Sequence, residues 1–337
     1  MTKDKVLAML INTDSYMSGE LISEELGVSR AAVNSAVKSL RSEGYIIESC
    51  TNKGYKLISR PDRLSSGEIE AIVGPERMAN VVVLDSVDST NKKLKELGYS
   101  GCPSGTVVIA NEQTGGRGRL GRSFLSPRDC GIYFSILLRP DTAPSDTGSI
   151  TAWTSVAVAE AIQKSTGIEP GIKWVNDLVV NNHKICGILT ELSVESESMR
   201  IDNIVIGIGL NVSNKITDFP EELRSTASSL ATEYPDKIGR LNRSAIAAQM
   251  IIRLDQLIAD WPHNSERYLK RYRELSITCG KEVNVIPIGS SSEPSEGRKG
   301  KALSINDDFS LKVQYEDGSI SDLSSGEVSV RGLYGYA

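Results

Sequence analysis

The stretch Thr106–Leu138, TVVIANEQTGGRGRLGRSFLSPRDCGIYFSILL, decides how the centre of this sequence folds. It contains the pattern Gly116-x-Gly118-x-x-Gly121 after an apolar run that is typical of a strand. A dinucleotide-binding turn with this pattern opens a helix, because the pyrophosphate sits at the helix N-terminus. Here Pro127 and a second apolar run follow instead, and they predict another strand. The sequence therefore excludes a Rossmann turn and predicts a glycine-rich loop between two strands.

Three arginines alternate with the glycines of this loop, at Arg117, Arg119 and Arg122. A guanidinium binds carboxylate or phosphate through parallel hydrogen bonds, and glycine lets the backbone approach a ligand closely. Two other interpretations stay open at this point, an exposed basic loop without a special role and an RNA-binding turn. The combination of arginine and glycine favours the capture of an anion.

The sequence around the loop predicts an α+β domain. Strand-like apolar runs come in neighbouring groups with short turns, which indicates a mixed sheet. Three polar stretches accompany these strands, DSVDSTN at Asp85–Asn91, KWVNDLVVNNHKICGILTE at Lys173–Glu191 and GIGLNV at Gly207–Val212. Ser89 fits a helix N-cap as well as a ligand contact. Lys184 fits the guarding of a sheet edge as well as a point charge for a carboxylate or phosphate.

The first 60 residues predict a winged helix-turn-helix domain. Gly27 predicts the left-handed end of one helix, and Asn52-Lys53-Gly54 predicts the turn of a β-hairpin. The helix that begins at Ser29 is the predicted recognition helix. Charges in this segment nearly balance, so a small helical adaptor is the alternative, but the basic residues lie on the recognition helix and the acidic ones cluster before it. The predicted DNA contacts are Ser29, Arg30, Asn34, Ser35 and Lys38.

The sequence pattern changes at Thr278. From there apolar and polar residues alternate, and Asp-Gly and Gly occur at the predicted turns. This pattern predicts a small β-barrel of SH3-like size. The sequence thus predicts three domains, at residues 1–62, 63–277 and 278–337.

Composition excludes several classes of protein. The sequence has 39% hydrophobic residues and no apolar run long enough for a membrane span, and its start lacks the features of a signal peptide. The five cysteines are scattered, which argues for free thiols in a reducing cytoplasm. The sequence has two histidines, far apart, and this argues against a His-rich metal site and against a Ser-His-Asp triad. A net charge of −5 gives no overall attraction to nucleic acid, so DNA binding must be local.

Taken together, the motifs DSTN, GRGRLGR, KWVND with K-x-x-G-I-L-x-E, GIGLN and SGEVSVR resemble those of bacterial biotin protein ligases. With the winged helix, the chain is similar to the bifunctional type that is also the biotin operon repressor. The resemblance implies a central domain like that of class II aminoacyl-tRNA synthetases. It also implies joining of biotin to ATP as biotinyl-5′-AMP, and transfer of biotin to a lysine of a carrier domain of acetyl-CoA carboxylase or another biotin-dependent carboxylase.

The resemblance also implies roles for individual residues. Arg119 and Lys184 would be catalytic. The biotin site would be formed by Ser89, Thr90, Asn91, Gln113, Arg117, Gly118, Arg119, Lys184 and Gly187. The nucleotide would be bound by Arg122, Phe124, Asn176, Asn211 and Arg331. Mg²⁺ is expected to arrive with ATP and not at a protein-only site.

Two positions depart from the pattern of the family: Phe124 stands where Trp is common, and Val175 replaces the Pro of KWPND. Neither change removes a charged contact, so we expect an active ligase. The resemblance further implies a cytoplasmic homodimer, with biotinyl-5′-AMP as corepressor at a two-fold-symmetric operator. A regulator that senses a small acid without ligating it, and a lipoate-type ligase, are the alternative hypotheses.

Overall fold

The computed structural model describes residues 2–141, 144–194, 200–287, 297–324 and 328–332. In chain order it comprises a small helical unit with a hairpin, a seven-stranded mixed sheet with its helices, and a five-stranded antiparallel sheet. The predicted fold class is confirmed. The domain boundaries at residues 62 and 277 stay a prediction.

The N-terminal unit is a winged helix-turn-helix. Ser18 Oγ accepts a hydrogen bond from Leu21 N, and Ser29 Oγ accepts one from Ala32 N, so both serines cap helices. Gly27 takes the left-handed conformation, with φ of 63°, and turns the chain between those helices. The elements are α1 (Thr2–Ile11), α2 (Gly19–Leu26), α3 (Arg30–Ser42), β1 (Ile46–Cys50) and β2 (Gly54–Ser59).

Two short helices, α4 (Ser66–Val73) and α5 (Pro75–Met78), connect this unit to the rest of the chain. The carboxylate of Glu68 on α4 is 1% exposed and accepts hydrogen bonds from Tyr45 Oη at 3.0 Å and Asn242 Nδ2 at 3.1 Å. Burial raises the pKa of Glu68, although the hydrogen bonds from Tyr45 and Asn242 act in the opposite direction. One buried side chain therefore joins the winged helix to the central domain.

The central sheet has one parallel pair of strands, and its other pairs are antiparallel. Its strands are β3 (Val81–Leu84), β4 (Val107–Ala110), β5 (Gly131–Leu138), β6 (Gly171–Lys173), β7 (Asp177–Val180), β8 (His183–Val194) and β9 (Ile201–Asn211). Their order is β3-β4-β5-β9-β8-β7-β6, with β3 and β4 parallel. Every residue of β5 is buried, because helices cover both faces of the sheet there.

The two faces carry different helices. The helices are α6 (Thr90–Tyr99), α7 (Ile150–Thr166), α8 (Leu230–Glu233), α9 (Arg243–Asp260) and α10 (Ser265–Leu275). Leu94 of α6 packs on one face with Val108, Leu137 and Val205, whereas α7 and α9 belong to the large core on the other. Among the helices in the described part of the chain, none is a candidate membrane span.

The C-terminal sheet is antiparallel, in the order β13-β12-β11-β10-β14. Its strands are β10 (Glu282–Pro287), β11 (Arg298–Ile305), β12 (Leu311–Tyr315), β13 (Ile320–Leu323) and β14 (Val328–Gly332). Trp174 ties this sheet to the central one, because its Nε1 donates to Phe309 O at 3.0 Å and its backbone N donates to Thr278 Oγ1 at 2.9 Å. The C-terminal sheet therefore lies directly against the strand that leads into KWVND.

Candidate active site

The arginine–glycine loop lies between β4 and β5, as predicted. It folds back on itself, since Phe124 N donates to Gly116 O at 3.0 Å and Gly118 N donates to Arg122 O at 2.7 Å. Leu120 and Gly121, at its tip, have φ of 58° and 71°. The loop is therefore a small hairpin whose arginines can face a ligand from one side.

Beneath the loop is a cavity of about 460 Å³, a size suited to a small-molecule ligand. It brings together thirteen of the fourteen residues that the resemblance assigned to biotin or nucleotide. They are Ser89, Thr90, Asn91, Gln113, Arg117, Gly118, Arg119, Arg122, Phe124, Asn176, Lys184, Gly187 and Asn211. The fourteenth, Arg331, belongs to β14, and its side chain lies outside the described residues. Which ligand each of these residues contacts stays a prediction.

One end of the cavity is lined mainly by uncharged polar side chains, and the charge of Arg117 from the loop lies near it. Thr90 N and Thr90 Oγ1 donate to Gln113 Oε1 at 2.9 and 3.0 Å, and Gln113 Nε2 donates to Ser126 Oγ at 2.9 Å. Asn91 is 5% exposed and lies against Ser135, which is fully buried. Short side chains at the N-terminus of α6 thus form a pre-ordered hydrogen-bonding surface.

The other end is cationic. Lys184 Nζ lies 2.6 Å from Asp177 Oδ1, and Arg119 Nη1 donates to Asn176 Oδ1 at 3.0 Å. Burial lowers the pKa of the Arg119 guanidinium, although the nearby charge of Asp177 opposes that shift. A partly desolvated arginine and a lysine on facing elements suit a ligand that carries carboxylate or phosphate.

Phe124 forms the middle of the cavity. A Cβ added to Gly209 would lie 2.5 Å from Phe124 Cε1, and one added to Gly187 would lie 3.5 Å from Cε2. Only glycine at position 209 lets the ring lie this close to the sheet. The aromatic side chain that replaces the usual Trp therefore lies on the strand floor between the two ends of the cavity.

Sequence reasoning missed one wall of the cavity, formed by Phe219, Leu223, Thr226 and Ala227. This segment is held to the site by Lys184, whose backbone N donates to Thr226 O at 2.8 Å. No motif marked the wall, because its residues reach the cavity only through tertiary pairing. Asn211 Nδ2 donates to Ser228 O next to the wall, whereas Asn211 Oδ1 is buried without a hydrogen-bond partner among the described residues.

The predicted recognition helix α3 has the expected distribution of side chains. Val33, Ala36, Val37 and Leu40 are buried, and all five predicted DNA contacts are exposed. Arg30 also pairs with Glu20 at 2.5 Å. Arg41, which was not among the predicted contacts, donates to Ile47 O and Ser49 Oγ and so fixes the wing to the helix. Direct DNA contact by these residues stays a prediction.

Among the described residues, no group of three His, Cys, Asp or Glu side chains is placed to hold a metal ion. Asp177 is the one carboxylate among the described residues that line the cavity. A Mg²⁺ ion that is carried mainly by phosphates and water needs only one or two such carboxylates. Binding of Mg²⁺ together with a nucleotide stays a prediction.

Comparison with known proteins defines the class of the chain. Residues 83–211 match the biotin/lipoate A/B protein ligase family, and residues 2–56 match an HTH domain. The loop and most of the residues that line the cavity lie in the first of these segments, whereas the wall that begins at Phe219 lies after it; α3 lies in the second segment. The class is that of protein ligases of the biotin and lipoate type with an added helix-turn-helix.

Relatives that extend over nearly the whole chain narrow the class to one family. The bifunctional ligase/repressor BirA of Bacillus subtilis (strain 168) is 33% identical over 94% of this chain and 94% of its own length. That of Escherichia coli (strain K12) is 29% identical over 97% and 96%, respectively. A solved biotin protein ligase from Aquifex aeolicus, in complex with biotin and ATP, covers 75% of this chain and 99% of its own, with 29% identity and a TM-score of 0.61. This chain belongs to the bifunctional ligase/repressor family.

Proposed function

We propose that the protein attaches biotin to a lysine of biotin carrier domains, at the expense of ATP, and represses biotin genes as a biotin-responsive DNA-binding protein. The observation that supports this most directly is the cavity itself. Beneath one arginine–glycine loop, it joins an end lined mainly by uncharged polar side chains to an end that carries Arg119 and Lys184. Biotin has a matching division, with an uncharged ureido ring at one end and a carboxylate at the other.

In the first step, a carboxylate oxygen of biotin attacks the α-phosphorus of ATP. A new phosphorus–oxygen bond forms, the bond to the bridging oxygen breaks, and pyrophosphate leaves with the electron pair. Two anions must approach each other, so cations at the meeting point lower the barrier. Lys184 and Arg119 supply them, and Asp177, 2.6 Å from Lys184 Nζ, holds the lysine in place.

In the second step, the neutral amine of the carrier lysine attacks the carbonyl carbon of biotinyl-5′-AMP. The amide bond forms, the bond between the carbonyl carbon and the phosphate oxygen breaks, AMP leaves with the bonding pair, and the proton of the amine passes to bulk water. Water must be kept from the same carbonyl, and the arginine–glycine loop is placed to cover it. We assign Arg117, Gly118 and Arg119 to this cover.

The nucleotide would occupy the cationic end of the cavity, next to the wall that contains Phe219 and Thr226. The unpaired Asn211 Oδ1 offers a buried acceptor there, as expected of a site whose ligand supplies a donor. Arg122, Phe124 and Asn176 are assigned to the nucleotide with Asn211, and Arg331 is assigned to its phosphates. Bound Mg²⁺ would neutralise phosphate charge, and Asp177 and Asn176 would hold it.

The repressor activity would depend on the exposed face of α3. We assign Ser29, Arg30, Asn34, Ser35 and Lys38 to operator contacts, and a homodimer to the recognition of two half-sites. The proposed carriers are acetyl-CoA carboxylase or a related biotin-dependent carboxylase. We propose the cytoplasm as the location, since all five cysteines are free thiols, which suit a reducing compartment.

The test is transfer of labelled biotin to an apo carrier domain with ATP, in parallel with labelled lipoate. We expect biotin on the carrier, strict dependence on ATP and loss of transfer in Lys184→Met. The matched control, Lys237→Met, alters a lysine whose Nζ donates to Gly167 O away from the cavity, and it should transfer normally. Acceptance of lipoate alone would exclude the biotin assignment, and DNA binding without transfer would leave a small-acid sensor.

A further inference from the structure

Glu191 lies behind the end of the cavity that Thr90 and Asn91 line, and it does not line the cavity itself. Its Oε1 accepts a hydrogen bond from Lys95 Nζ at 2.8 Å, and its Oε2 accepts one from Asn91 Nδ2 at 2.7 Å. Burial would raise the pKa of the Glu191 carboxyl, but the hydrogen bonds from Lys95 and Asn91 outweigh it and hold that pKa below its usual value. Glu191 is therefore an ionised, acceptor-only group at neutral pH.

An acceptor-only neighbour fixes the orientation of the Asn91 amide. The amide must present its NH₂ to Glu191, so its Oδ1 faces Ser135 Oγ at 2.6 Å. The orientation of the Gln113 side-chain amide is also fixed by its hydrogen bonds. Thr90 N donates to Gln113 Oε1, and Gln113 Nε2 donates to Ser126 Oγ. Both ends of the row between Asn91 and Gln113 thus present carbonyl oxygens.

The row between Asn91 and Gln113 has fewer protons than contacts. Two hydroxyls, Ser135 and Thr90, stand between the two carbonyl oxygens. The three successive oxygen–oxygen contacts are 2.6, 2.7 and 3.0 Å. Two hydroxyl protons cannot serve three contacts, and neither carbonyl oxygen can donate. The row is therefore one donor short, and it gains from a ligand N–H offered to Thr90, which lines the cavity.

We infer that Glu191, held by Lys95, is a positioning residue that keeps the biotin pocket short of one proton and thereby selective for a ligand N–H. The inference deepens the proposed function, because the ureido ring of biotin carries two such N–H groups. A buried acceptor left open is costly in the empty protein, and a donor from the ligand removes that cost. Glu191 acts through Asn91 and never touches the substrate.

Replacement of Glu191 by glutamine should reverse the polarity of the row. Lys95 Nζ only donates, so it would retain the new Oε1 and turn the new NH₂ toward Asn91. Asn91 would then flip and donate to Ser135, Ser135 would donate to Thr90, and Thr90 would donate to Gln113. Three protons would serve three contacts, and the pocket would no longer need a donor from the ligand.

The experiment uses the full chain with ATP and an apo carrier domain. Glu191→Gln should raise KM for biotin about tenfold, the worth of one net hydrogen bond, with kcat within about twofold of wild type. The control Asp255→Asn weakens an ion pair with Arg77 outside the cavity and should leave both constants unchanged. Absence of transfer by the wild-type protein would reject the proposed function, whereas an active wild type with an unchanged KM in Glu191→Gln would reject only this inference.

A paired exchange separates positioning from a structural role. In Glu191→Gln combined with Asn91→Asp, the new glutamine donates to the new carboxylate, whose second oxygen again accepts from Ser135. The row regains its two acceptor ends, so KM for biotin should return to within about threefold of wild type. Asn91→Asp alone places two carboxylates next to each other, so this variant should have the highest KM for biotin of the four proteins. A double variant no better than Glu191→Gln would overturn the inference.

Discussion

Gly207→Ala perturbs one contact of the proposed biotin pocket and leaves its charges intact. A Cβ on Gly207 would overlap Asn91 Oδ1 and lie 2.9 Å from Asn91 Cγ. Asn91 cannot move aside freely, because Ser135 holds its Oδ1 at 2.6 Å and Glu191 holds its Nδ2 at 2.7 Å. The added methyl group must therefore displace the Asn91 amide or the strand beneath it.

Gly207→Ala should lower the free energy of unfolding through the loss of those two hydrogen bonds. A hydrogen bond to a charged group contributes roughly 1.5–3 kcal/mol and a neutral one roughly 0.5–1.5 kcal/mol, so losing both costs about 2–4 kcal/mol. Overpacking of buried sites falls in an overlapping range of about 1–3 kcal/mol. For a domain of this size, we expect the melting temperature to fall by about 5–15 °C.

Thermal unfolding and biotin kinetics measure this prediction together. Gly207→Ala should show the lowered melting temperature and a KM for biotin raised at least tenfold, about 1.4 kcal/mol. The matched control is Gly239→Ala, where an added Cβ meets nothing within 4 Å. We expect the control to behave as wild type. A Gly207→Ala protein with the stability and KM of the control would refute the assignment of Asn91 to a locked pocket.

Three further predictions concern the loop, the domain junction and the winged helix. Arg119→Gly should release biotinyl-5′-AMP at least about tenfold faster and label bystander lysines, because a charged hydrogen bond that holds the loop is lost. An unchanged rate of release would contradict the proposal that the loop covers biotinyl-5′-AMP. Arg243 is fully buried beside Asp62, Asn111 and Asp129, so Arg243→Met should lower the free energy of unfolding by about 2–4 kcal/mol. Thermal unfolding measures this change, and a variant as stable as wild type would contradict the prediction. Removal of residues 1–60 should abolish operator binding in a gel shift and leave carrier labelling in place; loss of labelling in a folded protein would show that ligation needs the winged helix.

Much of the fold was predictable because its signals are local. Apolar periodicity, Ser29 as N-cap and Gly27 as C-cap define the winged helix within a few residues of chain. The strands on both sides of the arginine–glycine loop follow from two apolar runs, and the same reasoning excluded the dinucleotide turn. Period-two alternation after Thr278 predicted the C-terminal antiparallel sheet.

The parts of the site that could not be predicted depend on contacts between distant segments. Glu191 belongs to the motif K-x-x-G-I-L-x-E, but only the tertiary structure shows that its carboxylate meets Asn91 and Lys95. Gly207 belongs to the quoted stretch GIGLNV, but only the tertiary structure shows that Asn91 lies against it. Phe219 and its neighbours form a wall without any local pattern. Val175, the other departure, is buried after a cis peptide bond with Trp174, and its O accepts from Ser155 Oγ at 3.1 Å.

A gel shift with DNA from the control region of the host's biotin synthesis genes tests directly whether one protein couples ligation to repression. The full chain is titrated into that DNA with and without biotin plus ATP. Because the proposed corepressor, biotinyl-5′-AMP, forms in the first step of the proposed reaction, we expect half-maximal binding at a protein concentration at least about tenfold lower when both substrates are present. Biotin alone or ATP alone should have no such effect. Equal binding under all four conditions, or no binding under any, would contradict a single protein that ligates biotin and represses in response to it.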